Sequence, residues 1–238
     1  MPSKISVALT GVRDMIPLTV GTAPFAIIFG TLAANAGLPP VAVIIMSVLV
    51  FAGSAQFISI NLIGSGASLP VIWLTTFVLN LRHALYSATL QPVVQTWPLR
   101  RRALVAFCLT DEIFAVIEQR LQNIGTRDVW PYFLGSALFF YFNWIGWSAV
   151  GALLGHRIPG VAGLGLDFAM IATFSAMVAP QLKTPPTVTA ALTSALVACL
   201  AQGLPYKLGL LLAAVAGVSA GLTADFYARQ QALKKECA

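Results

Sequence analysis

Two pairs of ionisable residues interrupt long apolar runs in this chain. Arg82 and His83 lie in one run, and Asp111 and Glu112 lie in the next. An Arg at the centre of a membrane helix costs about 2.5 kcal/mol or more, so such a charge usually faces a bundle interior or a water-filled cavity. His titrates near neutral pH. The four side chains therefore predict an ion-paired site that binds a charged solute or carries protons.

Polar residues on the turns around Arg82 extend this predicted site. If the run is helical, Asn80, His83 and Ser87 lie on one face, while Arg82 and Tyr86 share a neighbouring face. Adjacent helix residues point about 100° apart, so one acid of the second pair can face a cavity while the other meets the guanidinium.

Each charged residue also has a structural alternative. Arg82 could reach toward lipid headgroups, since polar residues follow it closely in the chain. His83 could be a neutral imidazole bonded to a backbone carbonyl. Asp111 and Glu112 could lie in water at the membrane interface. These alternatives stay open at the level of sequence.

The composition predicts the elements that carry these residues. The chain has 238 residues, of which 58% are hydrophobic and 9% charged, whereas soluble domains carry about 25% charged residues. This predicts an all-α integral membrane protein, a bundle of about seven or eight hydrophobic helices of roughly 20 residues each. We expect a single transmembrane domain over residues 1–238. The candidate runs are 15–36, 41–63, 69–90, 103–118, 132–155, 165–182, 187–203 and 205–225.

Two of these runs carry residues that break helices. The first contains Pro17 and Pro24, and the second contains the small and polar stretch 51–57. Irregular backbone at membrane depth is tolerated where it is buried in protein or lines a cavity. Secondary transporters build substrate sites from such discontinuous helices. We therefore expect broken or re-entrant helices in both runs, although small residues also serve close helix packing.

The basic residues leave the number of spans open between eight and six. Eight spans with a cytoplasmic N-terminus place the triplet 100–102 outside, against the preference of Lys and Arg for cytoplasmic loops. The triplet moves inside if 41–63 or 15–36 is not a full span and 103–118 is also re-entrant. Both arrangements keep both termini cytoplasmic. The net charge is +6, and the basic residues lie mostly near the ends of apolar runs, as the preference of Lys and Arg for cytoplasmic loops produces. We therefore expect no nucleic-acid partner.

Enzyme signatures are missing from the sequence. It contains no HExxH or GxxxxGK[ST] pattern, and its GxSxG match at 217–221 lies inside an apolar run rather than at the strand-to-helix turn of a nucleophile elbow. The three cysteines, Cys108, Cys199 and Cys237, form no CxxC pair, which argues against a metal site or a disulfide framework. We therefore expect no enzyme, no cofactor and no bound metal.

Four motifs in order resemble one family. They are Pro24–Gly30, Phe51–Phe57, Asn80–Ser87 and Thr110–Ala115. The chain resembles the AzlC-type large subunit of bipartite branched-chain amino acid exporters. The resemblance implies export of valine, leucine, isoleucine and methionine across the bacterial inner membrane, together with a small AzlD-type membrane subunit.

From the residues we hypothesise alternating access, driven by proton antiport. The predicted substrate-binding residues are Pro24, Phe25, Phe51, Gly53, Ser54, Gln56, Asn80 and Arg82. The predicted proton-coupling residues are His83, Asp111 and Glu112. The substrate carboxylate would meet freed N–H groups and the guanidinium, since helix N-termini attract anions. A membrane scaffold without transport and a passive small-solute channel are the alternatives.

Overall fold

The computed structural model describes residues 3–121, 128–154, 182–204 and 208–236, together with the single positions Ser175 and Ala179. Throughout this described part the regular structure is helical, which confirms the all-α prediction. The chain divides into two compact units, Met1–Leu164 and Gly165–Ala238. The expectation of a single domain stays a prediction, and the predicted run 165–182 lies almost wholly outside the described residues.

The helices are numbered in chain order. The first unit contains α1 (Lys4–Asn35), α2 (Pro40–Leu49), α3 (Gly53–Gly64), α4 (Leu69–Asn80), α5 (Arg82–Val94), α6 (Leu99–Cys108), α7 (Asp111–Leu121) and α8 (Val129–Leu154). The second unit contains α9 (Pro185–Leu200) and α10 (Leu208–Glu236).

Helices α1 and α8 form the central pair of the first unit. In the described part of the chain, these two helices are long and apolar enough to cross a membrane. They run parallel, because Ala8 lies against Gly135 near their starts and Ile27 lies against Gly151 near their ends. A Cβ atom on either glycine would overlap backbone atoms of α1. Glycine therefore permits the close approach, as small residues do between membrane helices.

The prediction of a break in the first run is wrong. Helix α1 continues through Pro17 and Pro24, and both prolines face away from the buried side. Proline removes a backbone donor and weakens the local helix. Contact with α8 along the length of α1 holds the segment helical, so tertiary packing outweighs the local propensity.

The second run is broken as expected. Residues 50–52 leave the helical conformation between α2 and α3, with Ala52 at φ −147° and ψ 91°. The two helices fold back on each other, since the Gln56 amide nitrogen donates to Ser47 Oγ at 3.2 Å. The tip of this first hairpin lies beside the middle of α8, where Tyr141 donates to the carbonyl of Val48 at 2.9 Å.

Helices α6 and α7 form a second hairpin. Arg101 near the start of α6 lies over the ring of Trp130, at the start of α8. Phe107 near the end of α6 contacts Tyr141, at the middle of α8. The chain turns at Leu109, and α7 returns so that Arg120 near its end lies beside the start of α8 again.

Between the hairpins, α4 and α5 form one almost continuous rod. Leu81 separates them but keeps right-handed helical angles, φ −57° and ψ −24°. The local turn there is tighter, because the Leu81 N–H bonds the carbonyl three residues earlier, at Val78. Arg82 therefore begins a helical turn at the middle of a long segment.

The second unit is a pair of packed helices. Thr184 caps α9 in a reciprocal capping box with Thr187, which satisfies N–H groups that a helix start leaves open. Gly217 of α10 lies so close to Ser194 of α9 that a side chain on it would overlap the serine hydroxyl. The predicted runs 187–203 and 205–225 correspond to these two helices.

A matched pair of glycine substitutions tests the α1–α8 contact. We expect Gly151→Ala to destabilise the protein by about 1–3 kcal/mol, because overpacking forces the backbones apart. Gly146→Ala on the same helix has open space around the new methyl, and alanine favours a helix by up to about 1 kcal/mol over glycine. Thermal unfolding of the purified variants in detergent measures both. Equal midpoints would contradict the contact.

Candidate functional site

The tips of the two hairpins meet at Arg82. Its Nη1 donates to Asp111 Oδ2 at 2.5 Å, and its Nη2 donates to Ser54 Oγ at 2.5 Å. Ser54 lies in the first turn of α3, and Asp111 begins α7. One guanidinium therefore joins three separate chain segments, and both hairpin turns depend on the same side chain.

Tyr86 completes this network from one turn below Arg82. Its hydroxyl donates to Asp111 Oδ1 at 2.7 Å. Its ring stacks on Phe114 of α7, with ring centroids 4.4 Å apart. Both carboxylate oxygens of Asp111 are thereby used, and the spacing of Arg82 and Tyr86 at i and i+4 brings both to one acid.

The start of α3 presents N–H groups close to the guanidinium. The first N–H groups of a helix have no partner within that helix, and in α3 the first donor with a backbone partner is Gln56, which bonds Ala52. The N-terminal half of the helix dipole favours an anion at this position. Ser54, Gly53 and Arg82 therefore combine free donors and positive charge at one point.

His83 and Asn80 lie beside this point. His83 Nδ1 is 3.1 Å from the carbonyl oxygen of Asn80, which requires a proton on Nδ1. Asn80 Oδ1 and Arg82 Nε are buried and have no hydrogen-bond partner among the described residues. Unsatisfied buried polar atoms are rare and indicate a site that expects a ligand or water.

Glu112 lies next to Asp111 but takes no part in the guanidinium contact. The residue is partly exposed, but its carboxylate is enclosed and hydrogen-bonds the side chain of Thr110. The Thr110 hydroxyl also accepts from the N–H of Ile113 at 3.4 Å, as a helix cap does. The structure thus separates the two acids, with one paired to Arg82 and the other held at the turn.

The other predicted binding residues are spread over two aromatic clusters. Phe25 contacts Phe57 at 4.4 Å between ring centroids, whereas Phe51 contacts Tyr141 at 5.0 Å in a different cluster. The structure therefore does not place Phe25 and Phe51 against one another. Pro24 is exposed on α1.

Gln56 has structural partners on both sides. Its amide oxygen accepts from Trp144 Nε1 at 2.9 Å, and its nitrogen donates to Ser47. The side chain is fully buried. The sequence does not indicate that Ser47 and Trp144 both contact Gln56, since the turn between α2 and α3 and the packing of α8 bring them together. Trp144 also lies against Gly53, which has no room for a side chain there without moving the ring.

Comparison with known proteins gives a consistent group of matches. A family model described as AzlC protein matches residues 17–158. The inner membrane protein YgaZ of Escherichia coli is 30% identical over 194 residues, 79% of each chain. An uncharacterized membrane protein of Archaeoglobus fulgidus is 33% identical over 183 residues, 76% of this chain and 78% of its own.

One further relative carries a functional name. The branched-chain amino acid transport protein AzlC of Bacillus subtilis is 28% identical over 160 residues, 67% of this chain and 61% of its own. No solved structure gives a significant match.

Removing one partner tests the Arg82–Asp111 pair. The side chains are 29% and 19% exposed, so we expect Asp111→Asn to cost about 1–3 kcal/mol, below the 3–5 kcal/mol of a fully buried pair. Thermal unfolding of the purified protein measures the loss. Adding Arg82→Gln restores part of it, because no unpaired charge then remains.

The control is an exposed ion pair on α10. Arg229 Nε lies 2.8 Å from Asp225 Oδ2, with side chains 79% and 43% exposed. Asp225→Asn should cost no more than about 0.5 kcal/mol. Equal losses of stability for the two aspartate variants would show that the Asp111 pair stabilises the fold no more than an exposed surface pair does.

Proposed function

Because the chain belongs to the AzlC family, we propose that it is the transporting subunit of a branched-chain amino acid exporter in the bacterial inner membrane. The name of its Bacillus subtilis relative supports amino-acid transport, and the name of its Escherichia coli relative supports the inner membrane. Valine, leucine, isoleucine and methionine are the proposed substrates. A small AzlD-type membrane subunit is the proposed partner.

The contact of Arg82 with Ser54 and Asp111 carries this proposal. An amino acid is a zwitterion, so its site needs a cation and N–H donors for the carboxylate and an anion for the ammonium. The guanidinium and the start of α3 supply the first, and Asp111 and Glu112 supply the second. A substrate that separated Arg82 from Asp111 would bind Arg82 through its carboxylate and Asp111 through its ammonium, with both side chains in their present places.

The apolar side chain of the substrate would lie against the aromatic residues near this point. Two separate aromatic clusters offer such a surface, one formed by Phe25 and Phe57 and the other by Phe51 and Tyr141, and the substrate side chain would occupy one of them. Each buried methylene contributes about 0.8 kcal/mol. Leucine would therefore bind more tightly than glycine by several such increments.

Proton exchange would act through the same acids. Protonation of Asp111 weakens its pairing with Arg82, which loosens the contact between the hairpin tips. A proton on Asp111, Glu112 or His83 would then favour one facing state, because a ligand shifts an equilibrium only by its differential affinity for the two states. This links solute passage to proton passage in the opposite direction.

The six-span arrangement fits the contacts of the first unit. Arg101 lies at the start of α8, and the start of α8 lies beside the N-terminal part of α1. The triplet 100–102 is therefore at the same end as the N-terminus. In this proposal the two hairpins are re-entrant from opposite faces, and both termini are cytoplasmic.

Counterflow in proteoliposomes tests the transport proposal. With the partner subunit present, preloaded valine should accelerate uptake of labelled valine. A pore would give uptake that ignores the preload, and a scaffold would give no flux. We expect Asp111→Asn and Glu112→Gln each to lower pH-driven efflux at least tenfold. Glu118→Gln, an exposed residue on the same helix, is the matched control and should transport normally.

The proton-coupling roles fail on a specific result. If the rates of pH-driven efflux by Asp111→Asn and by Glu112→Gln both equal the rate of the parent protein, the two acids serve only to hold the hairpin. Counterflow without a pH gradient separates a loss of coupling from a loss of substrate binding.

Cysteine labelling tests the six-span arrangement. In a background with the natural cysteines replaced, Ser65→Cys should react with a membrane-impermeant maleimide only from the periplasmic face. Arg100→Cys should react only from the cytoplasmic face. Both positions are exposed loop or helix-end residues. An eight-span protein would give the reverse for each, because the run 41–63 would then cross the membrane.

A further inference from the structure

A second group of charged residues lies at the opposite end of α7. Asp14 of α1 accepts from the hydroxyl of Tyr132 of α8 at 2.8 Å. Arg120 of α7 faces the same carboxylate, with its Nε 3.9 Å from Asp14 Oδ2, and its guanidinium lies over the Tyr132 ring. Three helices of the first unit thus contribute one charged or polar side chain each.

This group repeats the composition of the Arg82 network. In each case an aspartate accepts from a tyrosine hydroxyl and faces an arginine. The separations differ, because Arg82 and Asp111 are 2.5 Å apart whereas Arg120 and Asp14 are 3.9 Å apart. The first pair is closed to hydrogen-bond distance, and the second is not.

The open pair borders a cleft of about 420 Å³. Arg13 and Gln119 add polar groups to its wall, and Val116 adds an apolar surface. Small-molecule sites commonly have volumes of about 300–1,000 Å³ and combine apolar walls with a few placed polar groups. The cleft is therefore large enough for a small solute and carries charges of both signs.

The Arg120 side chain is the observation that points to a ligand. Its Nε is buried and has no hydrogen-bond partner among the described residues. The side chains of Arg120 and Asp14 are 39% and 34% exposed, and both line the cleft. A carboxylate in the cleft would satisfy this donor, and the neighbouring Arg13 would add a second positive charge.

We propose that this cleft is a second amino-acid site, in which Arg120 and Arg13 bind the substrate carboxylate and Asp14 binds its ammonium. The inference rests on the proposed transport function and adds a binding step to it. Asp111 and Arg120 are nine residues apart on α7, about 13.5 Å of helix at 1.5 Å per residue. The substrate would meet this site at the cytoplasmic face before it reaches the Arg82 network.

Equilibrium binding of tritiated L-leucine to the full chain in nanodiscs tests the second site. The parent protein should bind two leucines per chain, and Arg82→Gln and Asp14→Asn should each bind one. Arg120→Gln should match Asp14→Asn. Glu118→Gln, on the same helix and exposed, should keep two. Asp14→Glu should also keep two, because it preserves the charge, and thermal unfolding verifies that each variant is folded.

Competitors that lack one charge identify the recognised groups. In Arg82→Gln, where only the second site remains, unlabelled L-leucine should displace the tracer at least tenfold more effectively than 3-methylbutylamine or 4-methylpentanoate. Equal displacement by the amine and by the amino acid would overturn the assignment of Arg120 to the carboxylate.

The outcomes separate this inference from the transport proposal. If the parent protein exchanges leucine in liposomes but binds a single leucine that Asp14→Asn leaves in place, the second site is refuted and the transport function stands. If the parent protein neither binds nor exchanges any of the four amino acids, the proposed function itself fails.

Discussion

A charge inside an apolar protein must be paired, and this requirement organises the first unit. Arg82 stands at the middle of the α4–α5 rod and finds its partners on two other segments, Ser54 and Asp111. Burial of an unpaired guanidinium would cost several kcal/mol. The pairing therefore links the tips of the two hairpins, which also contact Tyr141 of α8. The position that is costly for the fold is thus also the position at which we propose that the amino acid binds.

Glycine residues of α8 permit the close packing of α1 and α8 that lies beside this contact. Helices α1 and α8 approach so closely at Gly135 and Gly151 that their backbones touch. This parallel pair gives each hairpin a surface of fixed position, with Tyr141 at the level of both tips. Phe51 and Ala52 in the first break and Leu109 and Thr110 in the second are buried, which is the setting in which irregular backbone at membrane depth is tolerated.

Several features of the site could be predicted from residue types. Arg82 and the acid pair stood out because charges in apolar runs are expensive, and the structure pairs Arg82 with one of the two acids, Asp111. The break near residues 50–52 followed from its small and polar residues. The break expected at Pro24 was wrong, because the packing of α1 on α8 outweighed a local propensity. The Asp14, Arg120 and Tyr132 group escaped prediction, since each residue comes from a different run and looks like an ordinary helix end by itself.

The sequence alone determined that the chain is helical and apolar, which residues carry charge at depth, and which family it belongs to. These properties depend on composition and on the order of residues along the chain, so they can be recognised without knowing which residues pack together. Only the tertiary structure decided which acid pairs with Arg82, that α2–α3 and α6–α7 fold back, and that Phe25 and Phe51 lie in separate clusters. The choice of the acid that pairs with Arg82 and the separation of the two aromatic clusters depend on contacts between residues far apart in sequence, which no local pattern indicates.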